Sequence, residues 1–394
     1  MKRHLRIGID IHSIGSQGGG NETYYRELVS ELLTLNCLHT LFCYHTSDVA
    51  IKHFHGVANC ALKRLVPGNR MLRIPLTIPW RSRTDALDLF HAQFIVPPFL
   101  KCKTVTTIPD IAFEHYPHFF PVFQRAALRL LVRESALRAD HIITVSQHSK
   151  KDIIETYDVL PEKITVTYEG AGTQFKPIDK PKAKQQILGK YGIEQAFILY
   201  VGRLQARKNL RRLVDAYGMA RKAGVSHKLV LAGKHDSLFA GVLSRIHELK
   251  LKDHIMLLGY VDNEDLPALY NAADIFVYPS LYEGFGLPVM EAMACGTPVI
   301  TSRGCCLAEI AGEAALLIDP LDESSIADAI TSLIASPERR HQLSRAGLLR
   351  SGRFSFREAA RQTMDIYQRV TGMDAHVTQV WPHCSEALGS KDFS

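Results

Sequence analysis

Two glutamates, Glu283 and Glu291, lie eight residues apart on either side of a glycine-rich stretch. A carboxylate can accept two charge-assisted hydrogen bonds from neighbouring hydroxyl groups of a polyol. The pair can therefore straddle a ligand that carries several hydroxyl groups. The alternative is that Glu291 complements the dipole of a helix in its first turn and that Glu283 is a solvated loop acid. We favour that alternative for either residue alone and a functional role for the pair.

The stretch between the two glutamates reads as a loop that leads into a helix. Pro288 stands where a helix prefers its first-turn proline, and Gly296 stands where the helix should end. Backbone N–H groups that converge on a helix N-terminus form an anion site. The loop at 283–287 therefore predicts a site for a diphosphate.

Three cations, Arg203, Arg207 and Lys208, follow a predicted buried strand that ends at Gly202. Cations at the carboxyl end of a parallel strand can neutralise a ligand that carries phosphate. For this segment taken by itself, a solvated basic turn is an equally good interpretation.

Three glycines, Gly18, Gly19 and Gly20, follow the first predicted strand and precede a helix that Asn21 would cap. Glycine permits a ligand to approach the backbone closely. The spacing Gly-x-Gly-x-x-Gly of a dinucleotide site is absent. A ligand-binding loop and a flexible surface turn both fit these residues.

One further acid, Asp110, stands at the end of a predicted strand, with His115 and His118 close behind it. Acid–base groups are expected at the carboxyl end of a strand in an active site. The alternative for the two histidines is that they are ordinary surface residues.

The elements that would position these candidate site residues are strands and helices, which alternate along most of the chain. The predicted strands are 7–11, 104–108, 141–145, 164–168, 196–201, 228–232, 255–259, 275–277 and 298–301. The predicted helices are 22–35, 123–139, 150–157, 209–223, 241–249, 266–272 and 288–295. Such alternation is typical of α/β proteins with parallel sheets. It predicts two doubly wound parallel-sheet domains that face a central cleft, joined by a proline- and lysine-rich linker at 175–182.

The composition narrows the class of protein. The 394 residues are 46% hydrophobic and 22% charged, which fits two globular domains and excludes fibrous, disordered and coiled-coil chains. No apolar run approaches the roughly 18 residues that a membrane span needs. The eight cysteines contain no Cys-x-x-Cys pair, and the histidines form no His-Glu-x-x-His cluster. We therefore expect reduced thiols, no metal site and a cytoplasmic protein whose first residues are not a signal peptide.

The net charge of +7 includes an acid-free stretch at 49–84 that holds seven Lys or Arg residues. Apolar residues, among them Met71 and Trp80, alternate with these cations, and the predicted helix at 123–138 also combines arginines with leucines. This pattern suits an anionic lipid surface. The alternative is that the apolar residues belong to the core and the cations are merely solvated. No nucleic-acid motif accompanies the charge.

The motifs together resemble those of the retaining GT-B glycosyltransferases of family 4. The resemblance rests on Tyr-Glu-Gly-Phe-Gly-Leu-Pro-Val-Met-Glu at 282–291, which looks like the Glu-x7-Glu pair of that family, and on Val-Gly-Arg at 201–203 with Arg-Lys-Asn at 207–209. Shorter matches are Gly-Ile-Asp at 8–10, Ala-Asp-His-Ile-Ile-Thr-Val-Ser at 139–146, Leu-Ala-Gly at 231–233 and Gly-Tyr-Val at 259–261. The likeness covers most of residues 5–370 and is most specific over 196–320.

The resemblance implies a nucleotide-sugar donor and a set of residues that hold it. Catalysis would involve Glu283, Arg203, Lys208 and Asp110. The donor would contact Gly19, Gly20, Arg203, Lys208, Tyr260, Val261, Glu283, Gly284, Phe285, Gly286, Leu287 and Glu291. In this scheme Glu291 binds the ribose, Glu283 the sugar, and the two cations the diphosphate. Family members retain the anomeric configuration and usually need no metal ion or other cofactor.

The same resemblance implies a division of labour between the domains. Residues 1–175 would bind the acceptor, residues 176–355 the donor, a helix at about 356–371 would return to the first domain, and 372–394 would form a tail. The acceptor would be a glycan or a lipid-linked molecule. Attachment to the cytoplasmic membrane face is a separate expectation, which rests on the cationic stretch at 49–84. GDP-mannose is the preferred donor, with UDP-sugars as the alternative.

One residue departs from the family pattern. Pro109 stands where the family often carries a histidine that approaches the donor sugar. This departure puts a catalytic histidine in doubt and leaves Asp110 on the first-domain side. It also keeps open a non-catalytic GT-B protein that binds a sugar nucleotide or glycan. A sugar-nucleotide epimerase on the same architecture has no support from the glutamate pair.

Overall fold

The computed structural model describes residues 4–16, 19–35, 38–234 and 239–373, and it contains two parallel sheets. The first sheet has seven strands in the order β3-β2-β1-β4-β5-β6-β7. Its strands are β1 Arg6–Asp10, β2 Thr40–His45, β3 Cys60–Arg64, β4 Leu89–Gln93, β5 Lys103–Thr107, β6 His141–Thr144 and β7 Ile164–Val166. We call this sheet and the helices that cover it the first domain.

The second sheet has six strands in the order β10-β9-β8-β11-β12-β13. Its strands are β8 Phe197–Val201, β9 Lys228–Ala232, β10 Ile255–Gly259, β11 Ile275–Tyr278, β12 Val299–Ser302 and β13 Ala315–Ile318. With its helices it forms the second domain. The predicted fold class, two doubly wound parallel-sheet domains, is confirmed.

Helices cover both faces of each sheet, as parallel strands require. In the first domain they are α1 Gly20–Leu35, α2 Val49–Phe54, α3 Arg70–Leu72, α4 Ile78–Thr84, α5 Ala112–His115, α6 Val122–Arg138 and α7 Gln147–Tyr157. From the second domain onwards they are α8 Lys180–Tyr191, α9 Leu210–Lys222, α10 Ala240–Glu248, α11 Leu266–Ala272, α12 Leu287–Ala294, α13 Cys305–Ala311, α14 Glu323–Ala335, α15 Pro337–Ser351 and α16 Phe356–Val370. In the part of the chain that the structure describes, none of them combines the length and the apolar character that crossing a bilayer requires.

The last helix, α16, crosses back from the second domain and packs against α1 of the first. The Tyr367 hydroxyl lies 2.5 Å from Nδ1 of the buried His91 on β4, and Phe356 packs against Tyr24 of α1. Ser355 accepts a hydrogen bond from the backbone N–H of Glu358 and so caps the helix. The two domains are therefore connected by packing as well as by the chain near residue 176.

Two local predictions were wrong. The predicted linker extends only to Asp179, because the Asp179 side chain accepts from the Lys182 N–H and caps α8, where Pro181 occupies the first turn. Asn21 does not cap α1, because that helix already begins at Gly20. Gly18 and the predicted tail beyond Met373 lie outside the described residues.

Candidate active site between the two domains

A cavity of about 300 Å³ lies between the domains, at the carboxyl ends of both sheets. Every predicted site residue lines it: Gly19, Gly20, Asp110, Arg203, Lys208, Tyr260, Val261, Glu283, Gly284, Phe285, Gly286, Leu287 and Glu291. The structure thus brings together residues that are up to 272 positions apart, from Gly19 to Glu291. Their individual roles remain predictions.

Glu283 is buried at this cavity and surrounded by hydrogen-bond donors. Lys208 Nζ makes a very short hydrogen bond to Oε1, which also accepts from Ser280 at 2.6 Å, and Arg207 donates to Oε2 at 3.1 Å. Burial alone would raise the pKa of Glu283, but the charges of Lys208 and Arg207 and these hydrogen bonds lower it to about 2. Glu283 is therefore a fixed carboxylate and not a solvated loop acid.

Lys208 is only 6% exposed and lies inside the second domain. Besides its ion pair with Glu283, its ammonium group donates to the Tyr278 hydroxyl at 2.7 Å. Burial and the charge of Arg207 lower the pKa of Lys208 to about 8, although Glu283 opposes the shift. Lys208 is therefore a buried residue whose amine balances the charge of Glu283.

The other two cations of this segment occupy different environments. Arg207 donates to the Tyr282 carbonyl at 2.9 Å and to Glu283, so it holds the start of the loop at 283–287 in place. Arg203 is exposed, lines the cavity and lies beside Gly19, where a Cβ atom would be 3.7 Å from the Arg203 Cδ. The sequence identified Arg207 as a cation but did not show that it holds Glu283 in place. The available indication was that Arg207 directly precedes Lys208, the other cation that contacts Glu283.

Glu291 is buried in α12 and accepts a hydrogen bond from the Tyr270 hydroxyl at 2.9 Å. It is the fifth residue of α12, not part of its first turn, so an interaction with the helix dipole does not explain it. Burial raises its pKa to about 7, against the hydrogen bond from Tyr270, which lowers it. Its carboxyl group faces the cavity together with that of Glu283.

The loop that joins the two glutamates has a closely constrained backbone. A Cβ atom on Gly284 would lie 2.5 Å from the Pro109 carbonyl oxygen of the first domain, so only glycine fits there. Gly286 has φ +97, a left-handed conformation that glycine adopts readily, and α12 begins at the next residue. Backbone N–H groups at the start of α12 are consequently presented to the cavity, as an anion site requires.

On the first-domain side, Pro109 and Asp110 line the cavity, and the Asp110 side chain accepts from the Ala112 N–H at 3.0 Å. His115 lies outside the cavity lining, where its Nε2 is 3.3 Å from Asp152, and His118 packs on Phe119. The two histidines are therefore not placed for acid–base chemistry in the cavity.

Sequence reasoning missed Glu169, which is 5% exposed and lines the cavity three residues beyond β7. Its signal was an acid shortly after the carboxyl end of a parallel strand, the same argument that singled out Asp110. No cluster of three or more His, Cys, Asp or Glu side chains suited to a metal ion occurs among the described residues.

Two family models match the chain and divide it as the sheets do. The model described as "Glycosyltransferase Family 4" matches residues 18–175, and "Glycosyl transferases group 1" matches residues 183–350. O-antigen chain mannosyltransferase B of Escherichia coli is 32% identical over 320 residues, which cover 80% of this chain and 83% of that protein. O-antigen chain mannosyltransferase RfbU of Salmonella typhimurium is 32% identical over 61% of this chain and 63% of its own length.

Solved structures share the fold. A sucrose-phosphate synthase from Thermosynechococcus elongatus superposes with a TM-score of 0.79 at 24% identity and covers 93% of this chain and 99% of its own. Anabaena HepE in complex with UDP-glucose has a TM-score of 0.75 at 19% identity and covers 93% of this chain and all of its own.

Proposed function

Because this chain belongs to the glycosyltransferases of family 4, we propose that it moves a hexosyl group from a nucleotide diphosphate sugar to a glycan or lipid-linked acceptor, with retention of the anomeric configuration. The observation that carries the proposal is the buried Glu283–Lys208–Arg207 cluster beside a helix N-terminus in a cavity shared by both domains. GDP-mannose is the preferred donor, because two relatives that are 32% identical to this chain are mannosyltransferases. UDP-sugars remain the alternative, since HepE is seen with UDP-glucose.

In this proposal the second domain binds the donor through three kinds of contact. Arg203 and the N-terminus of α12 bind the diphosphate, and Glu291 accepts hydrogen bonds from the ribose hydroxyl groups. Glu283 accepts from hydroxyl groups of the sugar. The loop at Tyr260 and Val261 contacts the base.

The environment of Glu283 bears on its role. A carboxylate with a pKa near 2 is a weak base, so it is poorly suited to remove a proton from an acceptor at neutral pH. It is well suited to hold sugar hydroxyl groups in a fixed position. Stabilisation of the departing diphosphate then falls to Arg203, Lys208 and the start of α12, without a metal ion or other cofactor.

A non-catalytic protein that binds the same ligands is the second candidate. It is favoured by one observation, the cavity position of Pro109, whose side chain has no group that could donate a hydrogen bond. Slow hydrolysis of the sugar nucleotide in the absence of acceptor would distinguish an enzyme from a binding protein.

We expect a matching donor to raise the melting temperature of the protein, because it binds the native state alone. A thermal-shift screen of GDP-mannose, UDP-glucose and ADP-glucose, each with and without EDTA, measures this. The shift should be the same in EDTA, since protein cations and backbone N–H groups neutralise the diphosphate. A shift that vanishes in EDTA would refute the metal-independent mechanism, and no shift with any donor would refute the proposed function.

Attachment to a membrane is a further part of the proposal, and it rests on the helical segment at residues 70–84. Met71, Leu76 and Trp80 are exposed there, and Phe123 at the start of α6 is 92% exposed. Their exposure contradicts the alternative that these apolar residues belong to the core, although Ile78 does. We propose that this surface binds anionic lipid reversibly on the cytoplasmic face of the membrane.

We expect the protein to float with anionic liposomes at low salt and to be released at high salt, because salt screens the attraction of the exposed cations. The double variant Met71→Ser/Trp80→Ser should lose most of this binding. Leu321→Ser/Leu349→Ser, which changes two exposed leucines of the second domain, should not. Absence of flotation at low salt would remove the membrane proposal and leave a soluble acceptor.

A further inference from the structure

Glu169 differs from the other acids of the cavity in its surroundings. It is only 5% exposed, and it lines the cavity from the first domain. Glu283 has two cations and a serine, and Glu291 has the Tyr270 hydroxyl. Within the described residues, no hydrogen bond or ion pair holds the Glu169 carboxyl group. It is a buried polar group whose partner must come from the cavity.

The groups that face Glu169 from the neighbouring elements are mostly acidic. They are Glu291 of α12, Glu283 of the loop before it, Asp110 after β5, and the phenol of Tyr24 on α1. The nearby cations Lys208 and Arg207 are already engaged with Glu283. An ionised Glu169 would add a further negative charge without a cation to balance it, so this site favours the neutral acid.

We propose that Glu169 carries a proton in the enzyme and donates a hydrogen bond from it to an oxygen atom of the bound nucleotide sugar. The inference rests on the proposed function, which places that ligand in this cavity. A neutral carboxylic acid is a hydrogen-bond donor, whereas Pro109, also on the first-domain side, has no donor group. Glu169 thus supplies the first domain with a donor group that can contact the substrate when both domains enclose it.

The charges around Glu169 also favour its protonated form. Burial, followed by the charges of Glu291, Glu283 and Asp110, raises the pKa of Glu169 from 4.5 to about 8. Since the folded protein holds this proton more tightly than the unfolded chain, raising the pH from about 5 to 8 removes stability. Ligand binding that needs the proton should weaken only as the pH rises through 8.

The first test compares the wild type with Glu169→Gln and Glu169→Leu in calorimetric titrations with GDP-mannose, UDP-glucose and ADP-glucose between pH 6.5 and 9.5. Glutamine keeps an N–H donor at the same place, so at pH 6.5 it should bind as the wild type does. Leucine has a similar size but no donor, so Glu169→Leu should bind roughly tenfold more weakly than Glu169→Gln at every pH and tenfold more weakly than the wild type at pH 6.5. Above pH 8, the affinity ratio of wild type to Glu169→Gln should fall by about tenfold per pH unit.

This ratio isolates Glu169, because both proteins contain Lys208 and Glu291, the other cavity groups with a pKa near 8 and near 7. A ratio that does not change with pH, or a leucine variant that binds as the wild type does, would overturn the role of Glu169 and leave the proposed function intact. If the wild type binds none of the three donors, the proposed function and this inference fail together.

A second measurement needs no ligand and detects the proton itself. Between pH 5 and 8 the melting temperature of the wild type should fall relative to that of Glu169→Gln, which carries no ionisable group there. Glu313→Gln, a change at an exposed acid on the second domain, should follow the wild type. Parallel curves for the wild type and Glu169→Gln would show that Glu169 is not protonated in the folded enzyme.

Discussion

Replacement of Lys208 by alanine should abolish transfer and also destabilise the protein by about 3–5 kcal/mol, because it leaves the buried carboxylate of Glu283 without its principal counter-charge. Arg207 would remain at 3.1 Å from Glu283 and lessen the loss. Urea unfolding of the variant measures the stability, and sugar transfer or donor hydrolysis measures the activity. Lys252→Ala, which removes an exposed lysine of the second domain, is the matched control and should change neither.

The stability effect and the activity effect can be separated by a double variant. Lys208→Met/Glu283→Gln removes both charges and keeps similar side-chain volumes, so it should recover most of the lost stability. It should remain inactive, because the groups that hold the sugar and the diphosphate are gone. A double variant as unstable as Lys208→Ala would show that the ion pair with Glu283 is not what Lys208 contributes, and it would point to the hydrogen bond from Lys208 to Tyr278. An active double variant would refute the assignment of the donor site.

The second domain was the easier one to predict from sequence, for a physical reason. Strands such as β8 and β9 are buried on both faces and read as short continuous apolar runs between turn residues. In the first domain, β2, β3 and β4 were missed, and the four-residue edge strand β13 was missed in the second. β2 and β4 contain histidine among their apolar residues, and β3 is a partly exposed edge strand with lysine and arginine. Such strands lack the apolar run that identifies a central strand.

For the site, sequence spacing identified the groups but not their environments. Glu283 and Glu291 could be paired because one loop and one helix hold them both. The cavity position of Glu169 depends on where β7 ends relative to β8 and β11, which no local pattern contains. In the same way, Arg203 and Lys208 are both cations after one strand, and only the folded chain shows that Arg203 is exposed and that Lys208 is buried in an ion pair with Glu283.

Because Arg203 is exposed whereas Lys208 is buried, we expect replacement of Arg203 to lower the activity without lowering the stability. Its guanidinium group is exposed at the cavity, and among the described residues it makes no ion pair or side-chain hydrogen bond. Arg203→Ala should therefore leave the melting temperature of the free protein almost unchanged. We expect kcat/KM to fall by about 100-fold or more, because the variant loses a positive charge that stabilises the departing diphosphate.

Two further variants test whether the loss of activity is specific to the guanidinium group of Arg203. Arg211→Ala, at an exposed arginine of α9 away from the cavity, should keep normal activity and normal stability. Arg203→Lys should recover only part of the lost activity, because lysine restores the charge but not the planar pair of N–H donors that matches a phosphate. If Arg203→Ala retained near-normal kcat/KM, the diphosphate would have to be neutralised by Lys208 and the N-terminus of α12 alone. Arg203 belongs to the second domain as those two groups do, so the diphosphate would still be bound by that domain, but at a position that the exposed guanidinium group does not contact.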